Sequence, residues 1–374
     1  MFERRQFLAL TGAGALAGMF PSILRAQAAL PNGYPASYQE IVEASRSEPN
    51  LLMYGGVAPA QMTRLFDGFK KLYPWLSVDY LEGDNYGVIE RYLNEVGTGS
   101  PTASLIFAAA PDAWLNLITR NEVLDYASPE TPAYADHASS PHPGLYTGGG
   151  DPVVFMWNSL VVPENLRPTR FEDMVEVVRS HPEIFNGKLT SYGAHLTGFG
   201  YSVHYTLAKH HGDKIWDWYG VVGPQTRYER SMGTMIEKTL SGEYALAYLA
   251  ANQSARVAVQ DPSVADILGI SYTLDGCPIS VRGLGITKSG KSPNAARLML
   301  DYLLSRDGQI AYASAGKLPA RMDIRQEELD GADIRSSFVE QVGEANVLPI
   351  GYDPEMPKQY ETFVAKWKAA NGIA

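Results

Sequence analysis

From Leu51 onward the apolar positions alternate between short runs of β type and longer stretches with helical spacing. Leu51–Tyr54 reads as a buried strand and Gly55-Gly56 as a turn. A helix follows that opens at Pro59, with Met62, Leu65, Phe66, Phe69 and Leu72 on one face, and Pro74 stops it. The pattern repeats twice: a strand over Leu76–Leu81 and a helix over Tyr86–Val96, then a strand over Ser104–Ala108 and a helix opening at Pro111. Strands that alternate with amphipathic helices point to an α/β architecture with largely parallel strands. Further along, strands are expected over Val153–Val162, around Leu189-Thr190-Ser191, over Tyr244–Leu249 and over Pro278–Thr287, with a long helix opening at Pro293.

Residues 127–152 are rich in Pro, Ser, His and Gly and end in Gly148-Gly149-Gly150, which reads as a loop before a crossing between two lobes. The expected organisation is an export signal over 1–28, the first part of lobe 1 over 29–152, and lobe 2 over 153–277. Residues 278–374 then return to lobe 1 and add C-terminal helices. Two crossings imply a hinge. No repeat of fixed period is visible, so solenoids and coiled coils are excluded.

The first 28 residues change the picture of where the chain works. Arg4-Arg5, then Phe7-Leu8, an apolar Gly/Ala-rich run to Phe20 and the small-residue site Ala26-Gln27-Ala28 are the parts of an export signal, and the paired arginines resemble the twin-arginine type. The run is shorter than the roughly 20 residues a membrane-spanning helix needs. Cleavage near Ala28 into the periplasm is the expectation. It takes three arginines and one glutamate from 31 basic and 41 acidic residues, leaving a net charge of −12 and nothing that invites nucleic acid. The single cysteine, Cys277, rules out an intrachain disulfide and reads as a small turn or core residue.

Several fragments, taken in order, resemble the type II periplasmic binding proteins, in particular the ferric-iron-binding-like branch of ABC-importer solute receptors. They are Leu51–Gly56, Trp157-Asn158-Ser159-Leu160-Val161-Val162-Pro163, Ser241–Tyr248, Asp275-Gly276-Cys277-Pro278 with Val281–Ile286, and Asn294–Arg297 followed by Leu303-Leu304-Ser305 and Asp307-Gly308-Gln309. The resemblance implies a two-lobed type II fold with a ligand cleft between lobes and a two-crossover hinge. It further implies a monomeric receptor without chemistry or cofactor of its own, which hands a small solute to a permease in the inner membrane. A sensor kinase is the alternative partner.

A cleft lined by loops and helix N-termini suits oxyanions, because first-turn N–H groups are unpaired and carry partial positive charge. The candidate contacts in the first lobe are Tyr54, Gly55 and Gly56 in the first turn, and Ala109 and Ala110 after the third strand. Trp157 lies on the crossing strand. In the second lobe the candidates are Thr197, Gly198, Phe199 and Tyr201 before one helix, Arg230, Ser231, Gly233 and Thr234 before the next, and Asn252 after a strand. Asn252 stands where the iron-binding members carry adjacent tyrosines, and Ala58 stands near their first-lobe histidine. Ferric iron prefers anionic oxygen ligands, so an organic, anionic solute is expected, with iron or an iron chelate as the alternative.

Gly285–Ser292 fits the phosphate-loop pattern G-x4-G-K-S, but Gly285-Ile286-Thr287 continues a strand and Pro293 removes an amide a phosphate would use. The histidines, at 137, 142, 181, 195, 204, 210 and 211, show no zinc-type spacing, so no metal site is expected. An exported hydrolase using the same cleft is the rival from another class. It requires a nucleophile hydrogen-bonded to a base.

Overall fold

The computed structural model describes residues 30–31, 33–134, 143–329 and 334–374. The export signal, His137 and His142 lie outside the described residues. None of the described helices is long and apolar enough to cross a membrane.

Ten strands occur among the described residues: β1 Leu51–Gly55, β2 Val78–Glu82, β3 Leu105–Ala108, β4 Leu145–Asn158, β5 Leu189–Tyr192, β6 Thr226–Glu229, β7 Leu246–Ala251, β8 Leu268–Tyr272, β9 Cys277–Ile286 and β10 Val347–Ile350. They run in the order β2-β1-β3-β9-β4-β7-β5-β6, with β10 beside β9 and β8 beside β4. β2, β1 and β3 are parallel, as are β7, β5 and β6, while β4 runs antiparallel to its neighbours and β9 antiparallel to β3 and β4 but parallel to β10.

Period-two alternation builds the first lobe. Leu51, Met53, Leu105 and Phe107 face one apolar layer with the Pro59–Leu72 and Pro293–Leu304 helices, whereas Tyr54, Ile106 and Ala108 face another with the Asn85–Thr98 and Pro111–Thr119 helices. Met62, Leu65 and Phe69 are buried as their spacing predicts. Leu72 is 45% exposed, because it ends its helix, where Tyr73 caps the last turn before Pro74. The second lobe packs around β4, β5 and β7 with the Phe171–Ser180, Gly198–His211 and Lys214–Val222 helices.

Two strands pass from lobe to lobe. β4 pairs with β9 through Leu145–Thr147 and Gly150–Pro152, then with β7 and β8 from Val153 onward. β9 in turn pairs with β10 near Cys277–Ser280 and with β3 through Gly283–Ile286. The Gly148-Gly149-Gly150 stretch is therefore strand with a register shift, and the expectation of a loop up to residue 152 is corrected over Leu145–Pro152. The glycines are required by close approach. A Cβ at Gly148 would stand 2.7 Å from Phe107, one at Gly149 2.3 Å from Tyr312, and one at Gly150 2.6 Å from Ile279. The strand ends at Asn158, four residues short of the expected Val162. There the side-chain oxygen of Asn158 accepts from Leu160 N at 2.9 Å and turns the chain.

After the helices Pro293–Leu304 and Arg306–Ala313 the C-terminal segment joins the second lobe. Phe338, Val347, Met356, Phe363 and Trp367 all pack in that core, and His204 and Tyr228 lie against the Trp367 ring. Cys277 is buried in β9, its thiol 3.3 Å from Val153 O, and burial pushes that thiol up to about 11. The thiol at neutral pH is no nucleophile.

Candidate functional site

A cavity of ≈ 370 Å³ opens between the lobes, within the size range of small-molecule sites. Its first-lobe wall starts at the Asn85–Thr98 helix. Asp84 caps that helix, its Oδ1 accepting from Tyr86 N at 2.9 Å and Gly87 N at 3.0 Å. The cap places Asn85 so that its Oδ1 accepts from Ala109 N at 2.9 Å and from the Arg282 guanidinium at 2.8 Å. Gly56 has no Cβ to obstruct this junction; one built there would stand 2.1 Å from Asn85 Oδ1. Arg282, on β9, lies over the Phe107 ring at 5.4 Å and faces the cavity with Ser280.

The second-lobe wall is the start of the Gly198–His211 helix. Thr197 caps it by accepting from Gly200 N at 2.9 Å, and a Cβ at Gly200 would collide with Gly193 O at 2.4 Å. Tyr192, at the end of β5, meets Phe199 edge to face at 4.9 Å and forms an aromatic side. Arg230 donates to Leu196 O at 2.9 Å and is exposed at the rim.

At the crossing, Asp151 accepts from Gln253 N at 2.9 Å, so its carboxylate occupies the start of the Asn252–Val259 helix. Burial holds the Asp151 carboxyl above the usual range, against the pull of that amide and of Lys317 and Arg282. Lys317 is only 7% exposed and is hydrogen-bonded to the Gln253 side chain; burial, reinforced by Arg282, pushes it down to about 8. Around Asp151 the protein thus gathers two cations against one carboxylate, a local excess of positive charge.

Of the residues singled out from the sequence, Ala109, Thr197, Gly198, Phe199 and Arg230 line the cavity. The others lie elsewhere. Tyr54 is buried and donates to Glu95 at 2.8 Å, Gly55 packs under Tyr80, and Ala110 is core. Trp157 does not face the cleft; β4 is covered on both sides here, and the ring packs against Gly269. Tyr201 is helical, two residues past Phe199 and hence roughly 200° around the axis. It packs on Tyr360 and Phe363 and donates to Met356 O. Ser231 caps the Met232–Leu240 helix, and neither it nor Gly233 nor Thr234 lines the cavity. Asn252 is buried and does not line this cavity. His195 and His204 are packed against Trp367 rather than exposed to the cleft.

The polar and aromatic cavity residues that sequence reasoning missed are Asp84, Asn85, Tyr86, Asp151, Tyr192, Ser202, Ser280 and Arg282. One had a signal: Arg282 is the single charge in β9. The phosphate-loop pattern holds no nucleotide. β9 continues through Ile286, and the amides of Asn294 and Ala295 that open the next helix donate to Glu48 at 3.0 and 2.8 Å. Among the described residues no three His, Cys, Asp or Glu cluster as a metal would require.

A family model described as bacterial extracellular solute-binding protein matches residues 100–339. No curated protein matches the sequence. Among solved structures, the substrate-binding protein of an ABC transporter from Agrobacterium tumefaciens is similar at 16% identity and a TM-score of 0.70, over 86% of this chain and 95% of that one. Iron-bound HitA from Pseudomonas aeruginosa is similar at 17% identity and 0.66, over 84% and 99%. IdiA (FutA) from Trichodesmium, in complex with iron and citrate, is similar at 18% and 0.67, over 86% and 99%. At these identities the likeness establishes the fold.

Proposed function

The chain belongs to the bacterial extracellular solute-binding proteins, and from that premise we propose that it captures a small organic oxyanion between its lobes and delivers it to an ABC permease. On this reading it is exported through a twin-arginine signal cleaved near Ala28 and works in the periplasm as a monomer. The observation that carries the substrate class is Arg282, a guanidinium turned into the cavity and oriented by Asn85 of the first lobe. A carboxylate, phosphate or phosphonate bound there takes a charge-assisted, forked contact. The start of the Gly198–His211 helix and Arg230 add second-lobe contacts, so one ligand bridges both lobes and favours closure. Tyr192 and Phe199 give an apolar side for the solute's body.

Two of the similar proteins hold iron in their structures, one of them together with citrate. In this cavity Tyr86 and Tyr192 supply phenols, but burial, helped by Asp112 at Tyr86 and Asp151 at Tyr192, holds both well above the ordinary range. Arg230 and Arg282 put two positive charges on the wall of the same cavity, which opposes a bare ferric ion, whereas a ferric chelate presents its own carboxylates to Arg282. A hydrolytic role lacks its machinery: Ser202 donates to Gly198 O at 2.8 Å, and no histidine lines the cavity among the described residues.

Calorimetric titration with citrate, ferric citrate, sugar phosphates, alkylphosphonates and ferric chloride tests this proposal. At least one oxyanion is expected to bind at micromolar concentration or tighter and to be recovered unaltered. Binding of ferric ion alone, with a visible phenolate-to-iron absorption band, would replace the organic oxyanion by the metal.

A further inference from the structure

Two guanidiniums line the solute cavity, Arg282 from β9 and Arg230 from the turn between β6 and the Met232–Leu240 helix. The oxygens that hold them are all uncharged. Arg282 donates to Asn85 Oδ1 at 2.8 Å and to Gly56 O at 3.4 Å, both in the first lobe, and Arg230 donates to Leu196 O at 2.9 Å in the second. Among the described residues no carboxylate forms an ion pair with either. The two carboxylates that border the cavity are engaged elsewhere. Asp84 caps its own helix through Tyr86 N and Gly87 N. Asp151 accepts from Gln253 N and interacts more strongly with Lys317 than with Arg282. The lobes meet at this cavity, where a Cβ on Gly198 would lie 3.7 Å from Tyr86 Oη, so both guanidiniums address one gap.

An arginine held by neutral oxygens keeps its charge for a ligand, and its planar fork matches one carboxylate or phosphonate. The cavity of ≈ 370 Å³ is many times the size of one such group, and the rings of Tyr192 and Phe199 line it with apolar surface. We propose that the solute is a dianion whose two anionic groups stand at opposite ends of a short apolar body, one on Arg282 and the other on Arg230, with the body along Tyr192 and Phe199. This rests on the oxyanion reading above and narrows it to a dicarboxylate or a phosphonocarboxylate. Arg230 is then the residue that sets specificity. Its charge counts only for a solute long enough to reach the second lobe, so it selects for length and favours closure around that length.

The test is calorimetric titration of the mature protein, in mildly alkaline buffer, with succinate, glutarate, adipate, pimelate and the phosphonocarboxylates of the same lengths. Each is paired with the monomethyl ester or alkylphosphonate that keeps a single anionic group. One chain length is expected to bind best, at least about 10-fold tighter than its single-group partner. Arg230→Gln should bring that dianion down to its partner and leave the partner within about twofold, whereas Arg282→Ala should weaken both. Arg230 is exposed, and glutamine can still donate to Leu196 O, so the Gln variant keeps the fold. A single-group ligand as tight as its dianion, or an Arg230→Gln loss shared equally by the two, would overturn the proposal, because one anionic group would then suffice. Either outcome leaves the oxyanion reading standing. Binding unmoved by Arg282→Ala, or no anion bound at all, removes both.

Discussion

Replacing Arg282 by alanine is expected to weaken solute binding about 100-fold or more, the scale for truncating one side of a desolvated, charge-assisted contact. The loss has two sources. The guanidinium that faces the cavity disappears, and Asn85 loses the donor 2.8 Å from its Oδ1, so the first-lobe wall is no longer held to β9. The fold should survive, because Lys317 is held below its ordinary range partly by Arg282 and is relieved when that neighbour goes. Arg282→Lys should recover only part of the affinity, since a point charge lacks the fork. Calorimetry on whichever oxyanion binds the wild type reads the change; affinity within about threefold of wild type would remove Arg282 from the site.

Asp301→Asn is expected to stabilise the protein at alkaline pH and leave it nearly unchanged in acid. Asp301 lies under the first-lobe helices, where Tyr38 and Tyr126 donate to its Oδ2 at 2.8 and 2.5 Å while Oδ1 is buried without a partner. Burial raises its carboxyl to about 7, against the pull of those hydroxyls. Between about pH 4 and 7 the folded chain therefore keeps a proton that the unfolded chain releases. Stability falls as pH rises through that window, and the full penalty is present above it. Asparagine mimics the protonated acid and avoids the penalty, a gain on the order of 4 kcal/mol at pH 8 that shrinks to less than about 1 kcal/mol near pH 4.

His204 slopes the other way. Held between Tyr219 Oη at 2.7 Å and Tyr192 O at 2.9 Å, it is pushed down to about 4 by burial. The unfolded chain thus binds more protons below about pH 6.5, and stability is lost as pH falls from there toward 4. In the wild type the two trends oppose each other; in Asp301→Asn the rise of stability with pH should be steeper than in the wild type. Urea unfolding from pH 4 to 8 measures it, and a variant that tracks the wild type at every pH contradicts the assignment.

The sequence made the layers legible because they follow from local periodicity. Leu51, Met53, Leu105 and Phe107 announce their strands by alternation, and Thr197 and Ser231 announce helix starts by their chemistry. The glycine run before the crossing misled, because its cause is contact with Phe107, Tyr312 and Ile279, residues far away in the chain. The cavity wall was legible only in part for the same reason. Asn85 and Arg282 form one unit across 197 positions, and no local pattern marks either as the other's partner. Tyr201 and Trp157 failed as contacts because orientation within an element, set by helix phase and by cover on both faces of β4, decides which side chain reaches the cavity.

That the two lobes close on an oxyanion and release it unchanged is tested most directly by small-angle X-ray scattering of the mature protein, stripped of bound solute by refolding and then given back the solute that mass spectrometry identifies in the denatured preparation. The returned solute should carry a carboxylate, phosphate or phosphonate, shrink the radius of gyration of the wild type but not of Arg282→Ala at the same concentration, and come back chemically intact. A radius of gyration unmoved by a solute that demonstrably binds, or a solute altered after incubation, would contradict the account.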